Sequence, residues 1–205
     1  MLVPVLAMAA IVVASNVLVQ VPLGGLLTWG AFTYPFAFLV TDLTNRLMGA
    51  RAARRVVLWG VAVGILCSLV GSQVTVAGGP AVPLRVAVAS GAAFLLAQLL
   101  DVAIFDRLRR REWWRAPLAS SLASSSLDTA VFFALAFSAL AGGLFPAGAS
   151  EAVAWAQGGA PLLAVGPQAP LWASLALADW GVKVALALVT LLPYRGVVLA
   201  RLGLA

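Results

Sequence analysis

Histidine is absent from this 205-residue chain, cysteine occurs once, and only 10% of the residues are charged. Without histidine there is no Ser-His-Asp triad, HExxH zinc site, histidine-ligated haem or imidazole proton relay. One cysteine, Cys67, rules out an intrachain disulfide and a multi-cysteine metal site, and its apolar surroundings in the sequence suit packing. Acidic residues are scarce too, seven against 13 basic ones, for a formal charge of +6. From this inventory we expect no metal, no cofactor and no enzyme.

What the chain has in abundance is apolar surface: 63% of residues are hydrophobic and the mean hydropathy is +1.05. That exceeds the range of water-soluble domains and identifies a membrane protein. A span needs roughly 20 apolar residues. Runs bounded by Gly, Pro and charge clusters predict spans at Val3 to Gln20, Ala31 to Leu47, Val56 to Val76, Val86 to Phe105, Leu118 to Leu140 and Leu171 to Leu192. The expected fold is therefore all-α, one six-helix transmembrane domain over residues 1–205. The first run has no basic segment before it and is read as a span, not as a cleaved signal peptide. In the second, Pro35 opens the helix or kinks it.

The basic residues give the sidedness. Arg46, Arg51, Arg54 and Arg55 follow span two, Arg107, Arg109, Arg110, Arg111 and Arg115 follow span four, and Arg195 and Arg201 follow span six. The opposite loops carry only Arg85. The positive-inside rule then puts both termini in the cytoplasm, in agreement with an even number of spans. The charge follows the membrane, so no nucleic-acid partner is expected. Residues Ala141 to Pro170 form an outward loop without a basic residue, with a short helix expected around Glu151 to Gln157. Trp29, Trp59, Trp113, Trp114 and Trp172 fall near span ends, where indoles anchor in the headgroup layer.

Ionisable residues inside spans are costly and mark functional sites. Asp42 lies in span two, Asp101 in span four, Asp128 in span five, and Asp179 with Lys183 in span six. Asn45 follows Asp42 by three, and Gln98 precedes Asp101 by three, so each pair shares a helix face. Gln98-Leu-Leu-Asp101-Val-Ala-Ile-Phe105 also echoes Ser125-Ser-Leu-Asp128-Thr-Ala-Val-Phe132. Structural alternatives are an ion pair of Asp42 with Arg46, pairing of Asp101 with the basic residues after it, and an i, i+4 pair of Asp179 with Lys183. Asp128 has no basic residue in its own span. One carboxylate can accept two neighbouring N–H groups of a ligand together. Asp128 or Asp101 could do this, with Gln98, Asn45 or Lys183 donating to a ligand carbonyl and Phe38, Phe105, Phe132 or Trp180 stacking on a flat ring. An unpaired carboxylate could also carry a proton.

Tyr34-Pro35, the run from Phe38 through Thr41, Asp42 and Asn45, then Gly49 and Ala53 with Arg54 and Arg55, resembles the second span and following loop of the queuosine precursor transporters. These are also called the vitamin-uptake-transporter-like family. Arg85 with Ala89 and Ser90, the Gln98 to Phe105 run, Asp128-Thr129 with Phe132, and Lys183 match in the same order. The resemblance implies a multi-pass inner-membrane protein that takes up 7-cyano-7-deazaguanine or its aminomethyl relative. It also implies kinship in fold with the substrate-binding subunits of energy-coupling-factor transporters. Asp42, Asn45, Gln98, Asp101, Ser125, Asp128 and Lys183 are the expected substrate-binding residues. Ser125 stands where the family often has Gln. Beyond the deazapurine substrate and membrane lipid, the partners to weigh are a second copy of the chain or an ATP-driven energy-coupling module. In the second case the chain would be a binding subunit instead of a free-standing transporter. An intramembrane aspartyl protease is disfavoured because no GxGD motif is present.

Overall fold

A computed structural model describes residues 1–76 and 79–202, with the side chains of Arg201 and Leu202 outside that description. The chain is mostly helical. Buried in lipid, a backbone must satisfy its own N–H and C=O groups, and the apolar runs do so as helices α1 (Leu2–Leu18), α4 (Ala50–Gln73), α5 (Leu84–Leu108), α6 (Arg115–Phe137) and α8 (Leu171–Val189). Helix α9 (Leu191–Leu202) continues α8 almost without interruption. Among the described residues four helical stretches are long and apolar enough to cross a membrane: Ala50–Gln73, Leu84–Leu108, Arg115–Phe137 and Leu171–Ala200. Helix α1 is apolar but shorter, at 17 residues.

The second expected span is broken. A single turn, α2 (Gly30–Thr33), is followed by Tyr34 and Pro35, and α3 (Phe36–Met48) begins afresh. Proline has no N–H to give to the preceding turn, so the ladder cannot run through. The chain then reverses at Gly49, whose φ of 84° suits a residue without Cβ, and α4 starts at once. Arg51, Arg54 and Arg55 therefore sit in the first turns of α4, not in a loop. Arginine is a good helix former whose long stem lets the charge reach the interface.

Three antiparallel two-stranded hairpins lie at one end of the bundle: β1 (Pro22–Leu23) with β2 (Leu27–Thr28), β3 (Thr75–Val76) with β4 (Gly79–Pro80), and β5 (Gly159–Pro161) with β6 (Gln168–Pro170). The loop after α6 folds into 3-10 turns at Ala139–Leu144 and Ala154–Gln157 around α7 (Ala147–Glu151). The short helix expected around Glu151 to Gln157 is thus divided between the end of α7 and the 3-10 turn at Ala154–Gln157.

The arginine-rich segments meet at the opposite end. Arg46 donates from Nε to the Tyr194 hydroxyl (3.1 Å) and from Nη1 to the Arg109 carbonyl, and the Arg195 guanidinium lies 5.3 Å from the centre of the Trp113 ring. α5 and α6 form the most closely packed pair. One core joins Met8, Val12, Ala53, Val56, Val57 and Phe94 across α1, α4 and α5, and a second joins Ala89, Phe133, Ala136 and Phe137 to Val153 and Ala156 of the loop. Large apolar side chains of α4, such as Leu66 and Val70, point outward and are exposed, as befits a face toward acyl chains.

At Gly60 helix α4 packs tightly against α1 and α5. A Cβ built there would lie 2.9 Å from Met8 Cγ and 3.0 Å from Phe94 Cζ. Gly60→Leu should wedge the helices apart and destabilise the fold by about 1–3 kcal/mol, the usual cost of overpacking. Thermal unfolding in detergent should show a lowered Tm, and an unchanged Tm would mean that α1 is free to move aside.

Candidate functional site

A cavity of about 930 Å³ occupies the half of the bundle that carries the hairpins. Its rim is formed by both N-terminal hairpins, its wall by Phe132, Phe133, Phe137 and Trp155, and its floor by Tyr34, Asp128, Asp179 and Lys183. A narrower apolar cleft between α1, α4 and α5 meets it at Asn16 and Tyr34.

The floor is a closed polar network. Lys183 Nζ lies 2.6 Å from Asp128 Oδ2 and 2.5 Å from Asp179 Oδ2, and donates to Thr129 Oγ1 at 3.1 Å. Tyr34 donates its hydroxyl to Asp128 Oδ1 at 3.2 Å, and Thr129 donates to Asp179 Oδ2 at 3.1 Å. Each element contributes for a local reason. The break at Pro35 turns Tyr34 inward, the i, i+4 spacing on α8 stacks Asp179 on Lys183, and α6 presents Asp128 and Thr129 to α8. Lys183 is 5% exposed and Asp128 4%, whereas Asp179 is 18% exposed. Asp179 is thus the carboxylate most open to the cavity, and only its Oδ2 is engaged in the hydrogen bonds described. Two carboxyl groups thus share a single lysine at the floor.

The walls suit a flat ring. Phe132 and Phe133 meet edge to face at 5.0 Å between centroids, and Phe137 packs against Trp155 at 5.8 Å. Trp180 on α8 donates to Ser126 Oγ at 3.0 Å on an exposed face.

A second polar cluster lies between α3, α5 and α6. Ser120 and Ser121 reach Asp42 at 3.2 and 3.5 Å, Thr41 donates to Gln98 Oε1 at 2.6 Å, and Asn45 donates to the Val102 carbonyl at 3.1 Å. The Thr41–Gln98 and Asn45–Val102 hydrogen bonds join α3 to α5 on either side of Asp42 and Asp101, so these two buried carboxyl groups are neighbours. Both oxygens of Asp101, together with Gln98 Nε2, Asn45 Oδ1 and Ser124 Oγ, are buried and have no hydrogen-bond partner.

Of the residues singled out in the sequence, Asp128 and Lys183 line the cavity and touch each other. Asp42, Asn45, Gln98, Asp101 and Ser125 do not line it, and all but Ser125 belong to the second cluster. Ser125 donates to the Ser121 carbonyl on its own helix. The Asp179–Lys183 pair forms at its i, i+4 spacing. Arg46 turns to Tyr194 and Arg109 and forms no salt bridge with Asp42. Tyr34, Thr129 and Asp179 complete the floor although the sequence reading gave none of them a binding role. The signal for Asp179 was its spacing from Lys183, and that for Tyr34 was the proline beside it.

Comparison with known proteins supplies a further observation. The family model described as "Putative vitamin uptake transporter" matches residues 28–198. The chain is 37% identical over 203 residues to the queuosine precursor transporter of Escherichia coli (strain K12), covering 92% of this chain and 81% of that one. It is 33% identical over 215 residues to a probable queuosine precursor transporter of Haemophilus influenzae, covering 92% and 82%. No solved structure matches.

Proposed function

This chain belongs to the vitamin uptake transporter family, and from that premise we propose that it carries a queuosine precursor, 7-cyano-7-deazaguanine or its aminomethyl relative, across the inner membrane. One observation carries the reading beyond the family. The floor of an aromatic-walled cavity is a lysine held between two carboxylates, one of them still open to the cavity.

Asp179 is the group we assign to the base edge, because its Oδ1 is free to accept an N–H from the edge of a guanine-like ring while Oδ2 is held by Lys183 and Thr129. Asp128 holds Lys183 and Tyr34 in place, and the phenylalanine wall covers the ring face. The discontinuity at Tyr34–Pro35 fits this role, since broken helices recur at the substrate sites of transporters. We assign the arginine-rich end to the cytoplasm by the positive-inside rule. The six helical stretches then serve as six spans with both termini inside, and the cavity opens outward to receive its substrate.

The test is binding and uptake with the purified protein. 7-Cyano-7-deazaguanine should raise the Tm in proportion to the logarithm of its concentration. Asp179→Asn should weaken binding at least tenfold, and Tyr34→Phe about tenfold, because the lost hydroxyl loosens Asp128. In liposomes the isolated chain should exchange labelled substrate across the bilayer. Binding without exchange would favour a subunit that needs an energised partner, and absence of both would refute the assignment.

A further inference from the structure

The second cluster is a site in its own right. Asp101 is 0% exposed and Asp42 2%, yet neither forms a salt bridge with a lysine or arginine among the described residues. The nearest charged groups are committed elsewhere. Arg46, on α3 with Asp42, turns to Tyr194 of α9 and the Arg109 carbonyl, and Lys183 is held by Asp128 and Asp179. From α6 the hydroxyls of Ser120 and Ser121 face the cluster, and α4 packs against α3 with Ala53, Val56 and Val57.

Two adjoining carboxyl groups shut away from water do not both stay ionised, because each charge raises the cost of the other. One proton shared between them removes that conflict. The open hydrogen-bonding valences point the same way: Asp101 accepts from nothing, and Ser124 Oγ, Gln98 Nε2 and Asn45 Oδ1, all fully buried, are left unpartnered around it.

A hydroxyl stripe connects this pair to the cavity. Ser120, Ser121, Ser124, Ser125 and Asp128 follow one another at i, i+1, i+4, i+5 and i+8, so they share one face of α6. From Ser120 to Asp128 is about 12 Å along the helix axis. The carboxyl pair therefore lies below the cavity floor, toward the arginine-rich end.

We propose that Asp42 and Asp101 form a proton-binding site, separate from the substrate cavity and joined to it by the serine stripe, that couples substrate entry to proton entry. The coupling rests on the transport function proposed above. A hydronium ion on the cavity side loses one O–H bond as an O–H bond forms on a carboxylate oxygen of the pair, leaving water; the reverse exchange with a water molecule at the arginine-rich end releases the proton as hydronium. Nothing is oxidised or reduced.

Two measurements test this, one of them independent of transport. Infrared spectra of the purified protein at neutral pH, in H2O and D2O, should contain the isotope-sensitive carbonyl stretch of a protonated carboxyl group. That band should vanish in Asp101→Asn or in Asp42→Asn, and Asp101→Glu should keep it at a shifted position, which guards against one misfolded variant. A band identical in wild type and both asparagine variants, or no band at all, overturns the proton site. In liposomes, an acid-outside gradient should drive accumulation of 7-cyano-7-deazaguanine above its exchange level. The ratio of driven accumulation to gradient-free exchange should fall at least tenfold in Asp101→Asn. Wild-type uptake indifferent to the gradient, or an unchanged ratio in the variant, overturns the coupling. Absence of exchange in the wild type would instead refute the proposed substrate, and the infrared result would still decide whether the pair holds a proton.

Discussion

Lys183→Met should abolish uptake and leave the protein strongly destabilised. Among the described residues the lysine is the one cation in contact with Asp128 and Asp179, at 2.6 and 2.5 Å. Removing one member of a buried ion pair leaves its partner's charge uncompensated, which costs about 3–5 kcal/mol. Here two carboxylates are left facing each other across the gap. Methionine has nearly the same volume, so the loss is electrostatic and not a cavity effect. Adding Asp128→Asn to Lys183→Met should recover much of the lost Tm, since only one carboxylate then remains. It should not recover binding, because Asp179 would no longer be held toward the cavity. Thermal unfolding in detergent, combined with binding of 7-cyano-7-deazaguanine, separates the two effects. A double variant no more stable than the single one would show that Asp128 and Lys183 act independently.

Arg85→Met should have a comparable effect on stability through a different mechanism. Arg85 is fully buried at the start of α5 and forms no salt bridge among the described residues. It donates instead to the carbonyls of Leu135 (2.7 Å) and Ser138 (2.5 Å) and to Ser150 Oγ (3.4 Å), and lies 5.5 Å from the centre of the Phe145 ring. The last carbonyls of a helix have no partner within it, so Arg85 both satisfies the end of α6 and fastens the loop that bears Trp155. Loss of charge-assisted hydrogen bonds to several buried acceptors is expected to cost about 3 kcal/mol. Arg85→Lys should rescue little, because an ammonium on a shorter reach cannot span acceptors that a planar fork serves together. A cysteine placed at Ala147 in a Cys67→Ala background should react with maleimide faster once Arg85 is gone. Equal labelling rates would mean the loop is held by its apolar contacts alone.

The sequence carried much of this fold and less of its site, for reasons that differ from residue to residue. Each of the six apolar runs holds a helix, because lipid leaves the backbone little alternative, and Pro35 breaks the second where its missing N–H requires. The start of α4 was obscured because Arg51, Arg54 and Arg55 lower local hydropathy without opposing helix formation. At the site, the spacing of Asp179 and Lys183 was readable along one helix. The crossing of Lys183 to Asp128, 55 residues earlier in the chain, depends on how α6 packs on α8, which no single-helix period encodes. Asp42, Asp101, Asp128 and Lys183 looked alike as intramembrane charges, yet their positions along the helices divide them between the cavity floor and the serine-lined cluster below it.

The pairing of Asp128 with Lys183 also bears on biogenesis. Of the four long apolar stretches, Arg115–Phe137 has the lowest mean hydropathy, 1.3 against 1.8 to 1.9 for the others. It is synthesised before the helix that supplies its counter-ion, and its aspartate has no basic neighbour one turn away. Asp179 and Lys183, by contrast, stand one turn apart on the same helix and are made together. The aspartate of Arg115–Phe137 therefore gains its lysine only when Leu171–Ala200, the last long apolar stretch to be synthesised, packs beside it.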